Sequence, residues 1–258
     1  MGFFDSVSNS ALFIGPIIGG LLFSLYNYKI FYAISIFAFI TFLISLHLKY
    51  KERNSILDGI KYVIKKDKII KKVFTDYLKN KKILNLSIFL LIVTIPVSFI
   101  GMLLPLFLKD MGASYFQIGV IYAFFSLPLI FESFFSATKN KRIGVLISLL
   151  IGSILFLSIF LTTNLTVIFI SSIILGLCFS FINPILQGRL TDAMPKKEIG
   201  ELSGVIHATS LLGYTIGPLL AGFISDLYGI SIIFLLASIL TFMLFVLTLK
   251  KKFVFNIS

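Results

Sequence analysis

The sequence predicts an all-α, polytopic membrane protein, and three observations support that prediction. Hydrophobic residues make up 58% of the 258 residues and charged residues only 13%, whereas a soluble domain carries about 25% charged residues. The apolar residues occur in runs of 18 or more, long enough to cross a bilayer as helices. These runs lack the alternation of a membrane β-strand, and lipid offers no partners to backbone groups, so helices are expected.

Eight such runs are separated by clusters of glycine, proline, asparagine and lysine. Each run is predicted to form one membrane-spanning helix. The spans are expected near residues 7–26, 30–48, 84–108, 115–137, 143–162, 166–188, 201–225 and 230–249. The lipid bilayer is therefore the first predicted partner of the chain.

The sequence offers no constellation for catalysis, for a cofactor or for a metal ion. The single cysteine, Cys178, lies within an apolar run, and the only histidines are His47 and His207. The phosphate-binding pattern Gly-x-x-x-x-Gly-Lys does not occur. We therefore predict neither an enzyme nor a cofactor or metal site, and any transport would draw on a gradient.

The connection between the second and third spans differs in composition from the rest. Residues 49–82 carry 12 Lys and Arg against four acids, and their apolar residues mostly recur at helical spacing. This pattern predicts a basic amphipathic helix on an anionic, cytoplasmic membrane surface. A solvated linker is the alternative. Because lipid explains the basic charge, no nucleic-acid partner is predicted.

The distribution of basic residues predicts the orientation in the membrane. With 49–82 inside, 21 of the 23 Lys and Arg fall in cytoplasmic connections or at the C-terminal end, and only Lys29 and Lys109 fall outside. Both termini are then cytoplasmic, and the protein is expected in the plasma membrane.

The first two spans and the last two are related by an internal repeat. A shift of 202 residues places Gly15-Pro16 on Gly217-Pro218 and Gly20 on Gly222. The shift covers six spans, so both copies have the same orientation. Parallel repeats of six helices are a transporter architecture with the solute site between the halves.

These residues resemble the major facilitator superfamily. The stretch Gly15–Gly20 resembles the fifth-helix motif of its proton-coupled drug antiporters, and Leu57–Val63 resembles a loop of macrolide- and siderophore-exporter-like members. Gly200–Gly222 resembles the eleventh helix. The resemblance implies helices five to twelve: residues 1–48 end a first half, 49–83 form the central loop, and 84–258 form a complete six-helix second half.

The chain departs from that pattern in two respects. The family's first four helices have no counterpart in it, so a separate chain supplying them is a predicted partner, and without that partner transport is expected to be poor. The loop that corresponds to the family's cytoplasmic gate keeps basic residues without the usual acid. These basic residues are Lys139, Lys141 and Arg142.

Seven residues of the repeated glycine-proline elements are candidates for helix packing or for a hinge. Small residues let helices approach closely, and proline removes a backbone hydrogen bond and bends a helix. The resemblance implies a hinge that seals the outward path, while tight packing explains the same residues. The seven are Gly15, Pro16, Gly19, Gly20, Gly217, Pro218 and Gly222.

Glu132 is the one acid well inside an apolar span, and an intramembrane carboxylate is by default a functional residue. Removal from water favours its protonated form, which suits a proton-coupling site. An interfacial position, or pairing with Lys139 or Arg142, is the alternative. His207 is the second coupling candidate, against the commoner neutral, hydrogen-bonded histidine.

Four residues are candidates to face a solute. Asn183 and Gln187 flank Pro184 in the sixth span, where freed backbone carbonyls and side-chain amides supply polar groups. Tyr122 and Tyr214 are expected to line an apolar cavity, with packing against lipid or neighbouring helices as the alternative.

The leading functional prediction is a secondary transporter that exports a small apolar or amphipathic solute, drug-like or siderophore-like, driven by a proton gradient, by another ion or by the gradient of the solute itself. The alternatives are a transport-incompetent fragment and a membrane sensor or assembly subunit that retains the fold.

Overall fold

The computed structural model describes residues 2–47, 77–132, 141–194 and 199–250. Most of the predicted central loop, 49–83, therefore lies outside the described residues. Within the described ranges the chain is helical and contains no strand. The division into two unequal halves stays a prediction.

Eight α-helices of 12 residues or more occur in the described ranges, and each overlaps one predicted span. The predicted all-α fold class is confirmed. The helices are α1 (Gly2–Tyr26), α2 (Ile30–His47), α3 (Lys81–Asp110), α4 (Tyr115–Ser126), α5 (Lys141–Leu161), α6 (Leu165–Ala193), α7 (Ile199–Tyr228) and α8 (Ile232–Leu249).

Six helical stretches in the described part of the chain are long and apolar enough to cross a membrane. The first, Ser10–Leu46, contains both α1 and α2, which are separated by one 3-10 turn at Asn27–Lys29. The apolar helical stretch Tyr115–Phe131 is shorter than the others. This composition makes the chain an integral, multi-pass membrane protein.

Polar side chains define where several helices begin. Asn80 accepts hydrogen bonds from the first turn of α3, and Asn164 accepts one at the start of α6. At the start of α4, Ser114 and Gln117 form a reciprocal capping box with bonds of 3.3 and 2.8 Å. These caps satisfy N–H groups that a helix leaves without partners at its first turn.

The buried core is formed by α3 to α8. Phe89, Phe156 and Phe234 are fully buried there. α3 packs most extensively on α7, and α5 packs on α6 and α8. α1 joins this bundle through α4, whereas α2 contacts only α1 and the 3-10 turn among the described elements. The side chains of residues 31–46 are exposed, as expected for a surface that lipid covers.

α1 and α4 meet at backbone distance. A Cβ atom added to Gly119 would collide with the carbonyl oxygen of Pro16, and one added to Gly20 would lie 2.6 Å from the carbonyl oxygen of Tyr115. Only glycine fits such an approach, because any side chain would force the helices apart.

α7 uses two glycines in the same way against α3. Gly213 faces Thr94 and Gly217 faces Ser98, with no room for a Cβ atom at either contact. Gly20 and Gly217 therefore make the close helix contacts that the packing interpretation requires. The hinge role stays a prediction. Other candidates of the repeated elements have open space, within 4 Å and among the described residues, where a Cβ atom would be added: Gly15, Gly19 and Gly222.

We expect Gly20→Ala to destabilise the protein and Gly19→Ala to leave its stability unchanged or raise it. The first substitution forces a methyl group against the Tyr115 carbonyl, and such overpacking costs about 1–3 kcal/mol. The second places the methyl group in open space, where alanine favours a helix over glycine. Thermal unfolding of the two variants in one detergent measures the difference, and equal melting temperatures would contradict the α1–α4 contact.

Candidate functional site

A cavity of about 410 Å³ lies between α1, α3, α4 and α7. This volume lies within the range of small-molecule sites. Its walls are mostly aliphatic and aromatic, and its polar side-chain groups are hydroxyls. The lining residues are Leu12 of α1, Val97, Ser98, Gly101 and Met102 of α3, Tyr122, Phe125 and Ser126 of α4, Leu129 beyond it, and Tyr214 and Pro218 of α7.

Three residues singled out in the sequence line this cavity: Tyr122, Tyr214 and Pro218. Gly101 lies beside the Tyr122 hydroxyl, which would be in ordinary van der Waals contact, at 3.6 Å, with a Cβ atom at that position. Tyr214 lines the cavity from α7 and keeps 46% of its surface exposed. Contact of either tyrosine with a solute stays a prediction.

Glu132 ends a row of side chains that begins in the cavity wall. After Ser126, α4 continues as a 3-10 helix over Leu127–Phe131, with Pro128 in its first turn. A 3-10 helix has three residues per turn, so side chains three residues apart lie above one another. Ser126 and Leu129 line the cavity, and Glu132 follows at the same spacing. This local tightening places the carboxylate in line with the cavity wall.

A polar side chain of α6 reaches Glu132. Asn183 of α6 donates a hydrogen bond from Nδ2 to Oε1 of Glu132 at 2.8 Å. Gln187, one turn further along α6, donates from Nε2 to Oδ1 of Asn183 at 3.3 Å. From α7, Tyr214 interacts electrostatically with Glu132 and with Tyr122. Glu132, Asn183 and Gln187 together form an acid–amide network beside the cavity.

A second close backbone contact sets the register between α4 and α6. A Cβ atom added to Gly176 would collide with the carbonyl group of Phe125. Asn183 follows Gly176 by seven residues and Glu132 follows Phe125 by seven residues. Seven residues are about two turns of the α6 helix, so Asn183 lies on the face of α6 that contacts α4. The glycine contact therefore places Asn183 beside the segment that ends at Glu132.

Sequence reasoning missed the residues that shape this site. Pro128, four residues before the intramembrane acid, was the available signal for the tightened turn. Gly119 and Gly176 stand alone in apolar runs, and their partners lie on other helices. No pattern within one segment distinguishes them from other glycines.

The remaining candidates lie away from the cavity lining. The His207 side chain is exposed on α7, and its coupling role stays a prediction. Lys139 lies outside the described residues, and Lys141 begins α5. Arg142 donates from Nη2 to the carbonyl oxygens of Leu249, at 3.0 Å, and Thr248, at 3.5 Å. Arg142 thus binds the C-terminal end of α8, while its role in a gate stays a prediction.

The sequence model of the Major Facilitator Superfamily matches residues 1–145 and 129–253, well over half of the chain. The chain belongs to this superfamily. The family predicted from the glycine-proline elements is confirmed. Members of the superfamily are transporters, so the chain is not an enzyme.

Two relatives illustrate the similarity within the superfamily. The quinolone resistance protein NorA of Staphylococcus aureus strain MRSA252 is 29% identical over 152 residues, which are 55% of this chain and 39% of NorA. The major-facilitator-type transporter MJ1560 of Methanocaldococcus jannaschii is 24% identical over 159 residues, which are 57% of this chain and 41% of that protein. The matched segment thus spans only about two fifths of either relative.

We expect Arg142→Gln to lower the free energy of unfolding by about 1–2 kcal/mol. The substitution removes a charged donor from the last carbonyls of α8 and a cation from the negative end of its dipole. Lys141→Gln removes the neighbouring charge and serves as the control. Thermal unfolding in detergent measures both, and an equal loss in the two variants would show that general charge, not the contact with α8, is responsible.

Proposed function

We propose that this member of the superfamily is a secondary transporter that exports a small amphipathic solute through the cavity between α1, α3, α4 and α7. One observation supports this proposal above the others: a solute-sized cavity is flanked by an ionisable carboxylate within the membrane-spanning bundle. An intramembrane acid is costly and marks ion or solute pathways. The similarity to a protein named for quinolone resistance favours export of a drug-like compound.

The lining of the cavity favours neutral or cationic amphipathic solutes. Apolar side chains and the rings of Tyr122, Phe125 and Tyr214 accept apolar groups, and the faces of such rings attract cations. No basic side chain is among the described lining residues, and Glu132 adds a negative charge at one end when it is ionised. An anionic solute would find no ionic partner in this lining.

In this proposal Glu132 carries the coupling proton. The carboxyl group continues the row of Ser126 and Leu129 in the cavity wall, so its charge acts on whatever occupies the cavity. Protonation removes that charge and release of the proton restores it. The energy then comes from the proton gradient, since the sequence has no phosphate-binding pattern of an ATP-driven pump.

The proposal extends to the location of the chain and to its partners. We place it in the plasma membrane with residues 49–82 and both ends on the cytoplasmic side, on the basis of the 21 basic residues that share that side. Further helices, from a separate chain or from the same polypeptide, would pack against the exposed faces of α2 and α7. Lipid covers these faces where no helix does.

The transport prediction uses the 258-residue chain in proteoliposomes with an imposed pH gradient and a fluorescent amphipathic cation. We expect the chain alone to transport poorly. With the missing helices supplied, we expect gradient-driven flux that Glu132→Gln reduces to the level of empty liposomes, because the amide cannot take up or release the proton. Asp110→Asn is the matched control, since Asp110 is an exposed acid at the end of α3. The assay is repeated with the first four helices of a relative co-expressed.

Two outcomes would count against the proposal. Flux that persists unchanged in Glu132→Gln would remove the coupling role from this residue. Saturable binding of the fluorescent cation with no flux in either preparation would favour the sensor or assembly function instead. Flux driven by sodium and not by protons would retain transport and replace the coupling ion.

The orientation prediction is tested by cysteine labelling from outside the cell. In a Cys178→Ser background, Tyr28→Cys and Gly112→Cys should react with a membrane-impermeant maleimide, because both positions fall in outside connections. Lys66→Cys and Lys252→Cys should react only after the membrane is opened. Labelling of Lys66→Cys in intact cells would reverse the proposed orientation.

A further inference from the structure

The Asn183 amide lies between the Glu132 carboxylate and the Gln187 amide. Its Nδ2 donates to Oε1 of Glu132 at 2.8 Å, and its Oδ1 accepts from Nε2 of Gln187 at 3.3 Å. The sequence marked the two amides as solute-facing, yet the described contacts direct Asn183 to the acid. Neither amide is among the residues that line the cavity.

The two hydrogen bonds fix which way the Asn183 amide points. A side-chain amide has one accepting and one donating end, and the two ends are nearly identical in shape. With Gln187 donating to Oδ1, the donating end faces Glu132. The reversed amide would set two acceptors against each other at Glu132, and Gln187 would have to reverse as well to keep its bond. Gln187 therefore supports the donating orientation of Asn183.

The donated bond favours one protonation state of the acid. A hydrogen bond donated to a carboxylate is stronger than one donated to the neutral acid, so it stabilises the ionised form. This effect opposes the removal of Glu132 from water, which favours the protonated form. The balance between the two effects determines the pH at which the acid binds its proton.

We propose that Asn183, oriented by Gln187, sets the proton affinity of Glu132 and thereby the pH at which the transporter loads its coupling proton. Asn183 is then a positioning residue for the acid and not a ligand of the solute. This inference rests on the proposed function only where it assigns the proton to transport; the effect on Glu132 itself does not depend on transport.

Other ionisable groups lie on the helices around this network. Among the described residues, Tyr214 of α7 interacts electrostatically with Glu132 and with Tyr122 of α4, and tyrosines are neutral near pH 7. Between residues 10 and 26, α1 carries no charged side chain. α6 carries Arg189 and Asp192 further along, which interact with each other. Asn183 provides the hydrogen bond to Glu132 from α6.

The test measures protonation of Glu132 without transport. Dicyclohexylcarbodiimide modifies protonated carboxyl groups in apolar surroundings, and mass spectrometry of the purified 258-residue chain gives the modified fraction of Glu132 against pH. Glu132→Gln identifies the labelled site. We expect Asn183→Ala to move the midpoint of labelling upward by about one pH unit, because the ionised form loses one charge-assisted hydrogen bond. Gln187→Leu should move it in the same direction by less, since Asn183 remains but is no longer held.

Leu177→Ala, an exposed position of the same helix, is the matched control and should leave the midpoint unchanged. An unchanged midpoint in both Asn183→Ala and Gln187→Leu would overturn the inference. An equal shift in Leu177→Ala, or a Glu132 that is not labelled at any pH, would also overturn it. Should Asn183→Ala fail to fold, Gln187→Leu still decides the outcome.

The flux assay separates this inference from the proposed function. A shifted midpoint in a chain that transports nothing would retain the role of Asn183 and reject transport. Glu132-dependent flux together with an unchanged labelling midpoint would retain transport and reject the role of Asn183. When both hold, the pH profile of flux should move upward together with the midpoint of labelling.

Discussion

The position of Glu132 depends on two places where α4 meets another helix at backbone distance. Gly119 admits the carbonyl of Pro16 from α1, and Gly176 of α6 admits the carbonyl of Phe125. In lipid, helices associate through close packing and not through the hydrophobic effect, so contacts between small residues decide which helices touch and in which register. The first contact joins α4 to a helix that precedes it in the chain, and the second joins α4 to a helix that follows it. Loosening either one would move the carboxylate relative to its partners.

Between those contacts and the acid, the chain changes from an α-helix to a 3-10 helix. Pro128 cannot donate to the backbone carbonyl one α-turn before it, and the segment tightens to three residues per turn. The tighter winding carries the row of Ser126 and Leu129 on to Glu132. In a regular α-helix, residues three apart diverge by about 60° around the axis, so the carboxylate would turn away from that row. Local backbone geometry thus determines which neighbours the acid meets.

The sequence was sufficient for the fold class, for the eight helices and for the family, because each hydrophobic run and each glycine-proline motif can be recognised within one segment of the chain. It also singled out Glu132, Tyr122 and Tyr214 on chemistry alone. It did not show that Asn183 bonds to Glu132, because that contact joins residues 51 positions apart and depends on the Gly176 approach. For the same reason Arg142, expected in a gate, was not foreseen as a ligand of the α8 carbonyls.

Coupling between a proton and a solute requires that each change the affinity for the other by the same factor. Under the proposed function, this exchange is direct: Glu132 continues the row of Ser126 and Leu129 in the cavity wall, so its charge interacts with a cationic solute there. A solute that displaces water from the cavity would strengthen this interaction, since charges act more strongly in a medium of low dielectric. A cationic solute then favours the ionised acid, and the protonated acid favours its release. Under the proposed function, the carboxylate attracts the solute when it is ionised and no longer attracts it when it is protonated. The hydrogen bond from Asn183 then determines the pH at which that exchange takes place.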